Sequence, residues 1–203
     1  MMEMSAMART IRATTRTAVL MCVMLVGVSG CATGVSTTAI PSVAGTDRIC
    51  RMFSEAAVRT VAGGKDPKVT QSHVNVEPQE GSLLGSVCVI EAGDMYLKVN
   101  VNWQGDPGIR AREKAELALP PSDEKVRVFP AEAGVGYIST TRAREAGIDG
   151  TLLRGQYKLT VSLNNVPAPR DAIADAQALV LQVTDALAIP VSESAARPKA
   201  PRG

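Results

Sequence analysis

The chain has 203 residues, 45% of them apolar and 3% aromatic, with 22 basic and 20 acidic side chains. This composition excludes a disordered chain and predicts a core built mainly from aliphatic side chains. The net charge is close to zero, and the predicted mature part has no basic cluster. Nucleic-acid-binding proteins need such clusters to neutralise phosphates, so this class is excluded. The same lack of positive charge argues against electrostatic binding to anionic lipid.

The first thirty residues have the three-part layout of an export signal. Basic residues precede an apolar run at residues 18–28, and Ser29 and Gly30 stand before Cys31. A membrane-spanning helix needs about 20 apolar residues, roughly twice the length of this run. Residues 1–30 are therefore predicted to be a signal peptide, which leaves a neutral mature chain long enough for one domain. The basic residues are Arg9, Arg12 and Arg16.

The sequence Val28-Ser29-Gly30-Cys31 resembles a bacterial lipobox. The resemblance implies cleavage between Gly30 and Cys31 and a diacylglycerol on the Cys31 thiol, which would hold the mature protein on the outer face of the cell membrane. Each buried methylene of an acyl chain adds about 0.8 kcal/mol to such an anchor. The alternative is an ordinary secretory signal followed by an incidental cysteine.

Two cysteines remain once Cys22 leaves with the signal and Cys31 carries lipid. An even pair in an oxidising compartment predicts a disulfide between Cys50 and Cys88. Closing a loop of that length is worth about 3–4 kcal/mol in the chain-entropy model. The alternatives are a reactive thiol or a metal site. Since a zinc site needs about four ligands and His73 is the only histidine, we predict neither a metal nor a cofactor.

The mature chain divides into three parts by composition. Residues 31–45 are small and uncharged, which predicts a flexible tether whose Ser36, Thr37 and Thr38 are candidate sugar acceptors. Residues 46–190 carry the periodic apolar patterns of a folded domain. Residues 191–203 are rich in Ser, Pro and basic side chains, which predicts a disordered tail.

Within the domain, a helix over 47–64 is predicted to begin at a Thr46 cap, with Cys50 near its start. A short strand at 73–76 precedes a hairpin of strands 86–90 and 95–103, with a turn at 91–94. The second hairpin strand alternates with period two, so Tyr96 and Trp103 lie on opposite faces. One ring is expected in the core, and the other is a candidate to line a ligand pocket or to pack over the second face.

In the second half of the domain, the sequence predicts a surface helix at 109–119. It also predicts a helix with an apolar stripe at 170–187, with Pro169 in the first turn of that helix. A turn is predicted at 147–150. Strands fall at 126–129, 134–140, 151–154 and 157–163. Together these elements predict a single α+β domain with an antiparallel sheet of about 5–7 strands and two or three packed helices.

Four stretches resemble a group of actinobacterial cell-envelope lipoproteins that are classed only as a domain of unknown function. They are the cysteine-bearing helix 47–64, the hairpin 86–103 with the second cysteine, the Ala-Gly-Val-Gly-Tyr strand within 133–139, and the segment 155–187 with its Ala-rich helix. The resemblance implies a surface lipoprotein and supplies no catalytic residues. Sensor domains of receptor kinases look similar, which keeps ligand binding open.

No catalytic residue is predicted. Ser122 and Lys125 spell S-x-x-K, but prolines precede the serine where an enzyme of that type needs a helix start. His73 has no nucleophile elbow near it in sequence. We therefore expect a non-enzymatic, membrane-anchored extracytoplasmic lipoprotein that binds a protein, a small molecule or a lipid. The alternative is an envelope-acting hydrolase or transferase without a recognisable motif.

Overall fold

The computed structural model describes residues 36–122, 125–140 and 147–201. The helices in these ranges are α1 (Glu55–Val61), α2 (Pro107–Leu117) and α3 (Ala172–Ala186). The strands are β1 (Arg48–Ile49), β2 (Phe53–Ser54), β3 (Lys68–Val76), β4 (Leu83–Ala92), β5 (Met95–Trp103), β6 (Val126–Val128), β7 (Val135–Thr140), β8 (Gly147–Arg154) and β9 (Tyr157–Asn164).

Seven of the strands form one antiparallel sheet in the order β3-β4-β5-β9-β8-β7-β6, while β1 and β2 pair separately. The predicted α+β class is confirmed. Strands β4, β5, β6, β7 and β9 coincide, to within a few residues at their ends, with the strands predicted at 86–90, 95–103, 126–129, 134–140 and 157–163. Two predictions in this region are wrong: β3 covers nine residues instead of a short piece, and residues 147–150 belong to β8 and do not form a turn.

Period-two alternation gives the sheet one buried face, the core face. On β5 the residues Met95, Leu97, Val99 and Val101 are buried, whereas the polar residues between them are half-exposed or exposed. The same alternation continues on the neighbouring strand β9. Each aliphatic side chain that leaves water in this way contributes about 1.5–3 kcal/mol. Helices α1 and α3 supply the opposing layer of the core.

The first helix begins later than predicted, at Glu55. Ile49 and Phe53 have helical spacing, but they lie opposite each other across the β1–β2 pair. Cys50 lies in the turn between these strands with φ of 52°. Cys50 and Cys88 form a disulfide that joins this turn to the middle of β4. The helix cap is therefore Ser54 and not Thr46: the Ser54 hydroxyl accepts from the Ala57 amide at 3.4 Å.

Helix α3 crosses the core face and covers β7, β8 and β9. Its cap is Asp171, whose carboxylate accepts from the Ala174 amide at 3.0 Å, so Pro169 precedes the helix and does not lie in its first turn. The apolar stripe is buried as predicted. Its buried members are Ala176, Leu179, Val180, Val183 and, at the C-cap, Leu187.

A buried ion pair fixes the start of α3. The Arg170 guanidinium donates to both carboxylate oxygens of Asp175, at 2.7 and 2.6 Å, and the two side chains are only 2% and 4% exposed. The remaining Arg170 donors reach the backbone carbonyls of Ser36 and Thr38. A guanidinium has five donors, and buried ones require acceptors, so the ion pair and the N-terminal segment complete each other.

The prediction of a flexible tether is wrong from Ser36 onward. Ile40 and Ala44 are buried, and the carbonyl of Pro41 accepts from the Gln182 side chain of α3 at 2.6 Å. Further along, Arg48 reaches the Ala186 carbonyl at the other end of the same helix. Residues 36–48 therefore run beside α3 for its whole length. Residues 31–35 lie outside the described part of the chain.

The prediction of a disordered tail is wrong for residues 191–201. The Leu83 amide donates to the Pro198 carbonyl at 2.8 Å, and the Ala200 amide donates to the Gly81 carbonyl at 3.1 Å. The basic side chain of Arg197 lies 3.3 Å from a Glu80 carboxylate oxygen. Backbone pairing and opposite charges thus hold the tail against the start of β4. Composition does not reveal these long-range contacts.

Tyr157 provides a test of the core packing. Its side chain is fully buried and its hydroxyl donates to the Leu83 carbonyl at 2.6 Å. Burial raises the pKa of the Tyr157 phenol, an effect that the nearby Arg197 charge partly opposes. The folded protein therefore keeps this proton at pH values where the unfolded chain, with a pKa of about 10, releases it.

The free energy of unfolding should fall as the pH rises above about 10, because the unfolded state then binds fewer protons than the folded state. Tyr157→Phe should remove this part of the slope and cost about 1 kcal/mol at neutral pH, since it deletes the buried hydrogen bond from the Tyr157 hydroxyl to the Leu83 carbonyl. Phe53→Leu, which changes another fully buried ring without removing an ionisable group, is the control and should retain the slope. Urea unfolding between pH 7 and 11 measures these values; an unchanged slope in Tyr157→Phe would contradict the assignment.

Candidate functional site

On the two central strands β5 and β9, the second face of the sheet is polar, and its side chains are aligned in pairs. Asn100 of β5 lies beside Thr160 of β9, and Lys98 lies beside Ser162 one pair further along. The next pair in the same direction is Tyr96 with Asn164. These six side chains on the two central strands are called the open face. All six are half-buried, because each lies against its neighbours.

Helix α2 covers only one side of this second face. Its cap is Asp106, and it packs over β7 and β8. Glu113 of α2 accepts from Lys158 of β9 at 2.6 Å, which fixes the helix beside the central strands. In the described part of the chain, no helix makes comparable contact with β4, β5 or β9 on this side. Among the described residues, the open face is therefore left without a covering helix, as one side of an antiparallel sheet commonly is.

The open face offers hydrogen bonds with little net charge. Its functional groups are amides, hydroxyls and a phenol, with Lys98 as the single cation of the set. Asn100 donates to Thr160 at 3.4 Å, so part of this capacity is used across the strands. A flat polar surface with an aromatic side chain suits a broad partner. Small-molecule sites are usually concave and mostly apolar.

The two candidate aromatics have different surroundings. Tyr96 lies on the open face, as its alternation predicts. Trp103 is on the opposite side of β5 and packs at the margin of the core. Its indole nitrogen donates to Gln156 at 2.8 Å, and the Arg197 guanidinium lies 4.7 Å from the ring centroid. Trp103 is thus a packing residue beneath the tail, and Tyr96 is the aromatic that a partner would meet.

Of the two rings, Trp103 packs against the core without being fully buried, and Tyr96 lies on the second face. The fully buried aromatic side chains are Phe53 and Tyr157. Tyr157 begins a strand of four alternating buried residues, so the pattern of β9 contains a signal for its burial. Phe53 has helical spacing with Ile49, which predicts burial on a helix, whereas the structure buries Phe53 in β2.

An open groove of about 490 Å³ lies beside the disulfide, between the β1–β2 turn and the edge strand β3. Arg48, Arg51, Ser72 and His73 are among the residues that line it. Ser72 and His73 are adjacent in a strand, so their side chains point to opposite faces and do not form a nucleophile–base pair with each other. The His73 ring nitrogen Nε2 lies 2.7 Å from the Asn75 side-chain oxygen.

Buried polar groups elsewhere serve the fold. Burial lowers the pKa of Arg154, whose guanidinium donates to the carbonyls of Ile189, Ala133 and Glu132 at 2.7–3.1 Å. Arg110 is nearly buried and donates to the Gln104 carbonyl. These arginines tie together connecting segments that have few backbone bonds of their own. Sequence reasoning missed Arg154 because its acceptors are carbonyls 21–35 residues away in the chain.

Some of the predicted site residues lie outside the described ranges. These are Gly30 and Cys31, and also residues 123–124, the two middle positions of the S-x-x-K motif. Across the ranges that are described, no cluster of three or more His, Cys, Asp or Glu side chains could hold a metal ion. No helix in those ranges is long and apolar enough to cross a bilayer.

Comparison with known proteins gives no relative. No protein-family model, no curated protein and no solved structure matches the chain. The resemblance to actinobacterial envelope lipoproteins therefore stays a prediction from the quoted residues.

Proposed function

We propose that this chain is a lipid-anchored extracytoplasmic lipoprotein whose open face binds a partner protein. The observation that carries the binding part is the second face of β5 and β9, where no helix of the described ranges packs over the aligned polar pairs and Tyr96. The anchoring part rests on the lipobox pattern that ends at Cys31. The function is that of a non-enzymatic binding module.

Two features of the fold support the extracytoplasmic address. The Cys50–Cys88 disulfide suits an oxidising compartment. The chain is also fixed to the domain from Ser36, only five residues after Cys31, so a lipid on that cysteine would hold a folded domain at the membrane. The resemblance to actinobacterial envelope lipoproteins supports the same location.

Shape favours a protein partner over a small molecule or lipid ligand. The space between the core face and helices α1 and α3 is filled by fully buried side chains such as Leu97, Leu159 and Leu179. A carrier of an apolar ligand would need a cavity at that place. The open face instead presents side-chain donors and acceptors on a sheet, an arrangement that suits a polar protein interface.

The anchor is tested by Cys31→Ala. The variant should remain an uncut precursor without lipid, because the thiol that receives the diacylglycerol is gone. Intact-mass measurement of the membrane fraction, together with metabolic labelling by a fatty acid, reads out both changes. Ser29→Ala, which keeps a small residue before the cysteine, is the matched control and should be processed. Normal acylation and cleavage of Cys31→Ala would contradict the proposal.

The binding face is tested by site-specific photo-crosslinking in intact cells. A photoreactive residue at Asn100, in the middle of the open face, should give an adduct of defined mass with an envelope protein. The same residue at Ala56, exposed on α1, is the control and should give none. Equal adducts from both positions, or no adduct from Asn100, would show that the open face is not the binding surface.

A further inference from the structure

The path of the N-terminal segment determines which end of the domain is closest to the membrane. Ser36 and Thr38 are held by Arg170, whose partner Asp175 is buried in the first turn of α3. The residues that follow are held along the helix, and Ile40 is buried in the core. The fixed part of the chain therefore begins at Ser36, and not at residue 46 as a flexible tether over 31–45 would imply.

The chain between this point and the anchor is short. Five residue steps separate Cys31 from Ser36, and they span at most about 18 Å in any conformation. A free tether up to residue 46 would allow roughly three times that distance. The headgroup layer of one leaflet is about 5–7 Å thick. A lipid on Cys31 thus keeps Ser36 within a short distance of the headgroups.

Several connections lie at the same end of the sheet as Ser36. Arg170 belongs to the β9–α3 connection, whose Asn165 side chain donates to the Asp94 carbonyl in the β4–β5 turn at 2.9 Å. The Lys65 side chain, in the α1–β3 connection, lies against Gly93 of that turn. These three connections are called the anchor-side end. Both signs of charge occur there, on Lys65 and Asp94, so contact would not depend on anionic lipid.

The opposite end of the sheet is far away. Strand β5 runs from Met95 at the anchor-side end to Trp103, a distance of about 27 Å at the usual rise per residue. The tail covers Trp103 at this far end through Arg197. Ser194 of the tail is exposed there.

We propose that the anchor-side end lies against the lipid headgroups, with the strands directed away from the bilayer. This inference rests on the proposed lipidation of Cys31 and adds to it the membrane-facing surface. In this orientation the open face is roughly perpendicular to the plane of the bilayer, where an envelope protein can bind it. The tail and Trp103 lie at the greatest distance from the lipid.

The arrangement is tested with the full mature lipoprotein in phosphatidylcholine vesicles that contain a headgroup-attached nitroxide lipid. A fluorophore is placed on one introduced cysteine at a time: Asp94→Cys at the anchor-side end, Asn100→Cys in the middle of the open face, or Ser194→Cys at the far end. Quenching should be strongest at position 94, intermediate at 100 and weakest at 194. Because about 27 Å separates the ends, the first should exceed the last at least about twofold.

The other outcomes overturn the proposal. Strongest quenching at position 100 would mean that the open face lies flat on the lipid. Equal quenching at positions 94 and 194, or stronger quenching at 194, would contradict the proposed orientation. The mass of the purified protein separates this failure from failure of the proposed function. A lipidated protein with the wrong order contradicts the orientation alone, whereas an unlipidated Cys31 contradicts the anchor and the orientation together.

Discussion

The buried pair between Arg170 and Asp175 is the interaction on which the arrangement of the whole chain depends. Removing two charges from water costs several kcal/mol per ion unless both are well hydrogen-bonded. Here the pair is bidentate, and the remaining donors of Arg170 reach the carbonyls of Ser36 and Thr38. The ion pair is satisfied only when the N-terminal segment is in place.

This requirement joins three parts of the molecule that are distant in sequence. It fixes the N-terminal segment at the start of α3, orients the first turn of the helix over the sheet, and shapes the connection from β9. An exposed pair such as Arg59–Glu55 on α1 has no such effect, because water screens it and its partners are not otherwise constrained. Burial is therefore what makes the first pair an organising element.

The sheet obeys a second constraint, since only one of its faces can be buried by the available helices. Helices α1 and α3 fill the core face, and α2 covers the second face only over β7 and β8. What remains is the open face. The proposed binding role depends on this asymmetry, because a partner needs a face of the sheet that no helix covers. The proposed orientation, with the strands directed away from the bilayer, keeps the lipid off the same face.

The sequence predicts those elements whose patterns are local and repeated. Strands β5 and β9 alternate over eight or nine residues, and α3 has a continuous apolar stripe, so the fold class and the central strands follow directly. The polar half of the same alternation also predicts that Tyr96 faces away from the core. The candidate site is predictable to that extent.

Other elements depend on contacts that local pattern does not contain. Ile49 and Phe53 have helical spacing but pair across a tight turn that the disulfide holds. Residues 147–150 contain two glycines and predict a turn. Gly150, however, lies within β8, where a Cβ atom would collide with the Ile138 side chain. Close packing between strands selects glycine there, and turn formation is not the reason.

The two terminal segments show the same limit. Both have the composition of flexible chain, and both are held by an arginine contact that joins residues far apart in sequence. Arg170 holds Ser36 across 134 residues, and Arg197 lies 4.7 Å from the centroid of the Trp103 ring. A composition-based prediction assumes that such segments find no partners. Here single arginines supply the contacts that decide the outcome.

Backbone relaxation of the mature protein by NMR tests the central claim most directly, because the account requires residues 36–44 to be fixed to the domain. The measured quantity is the order parameter of each backbone amide in this segment. The account predicts values near those of α3, about 0.85, from Ser36 onward. Values below about 0.6 throughout 36–44 would show a free tether and contradict both the role of Arg170 and the fixed point of attachment.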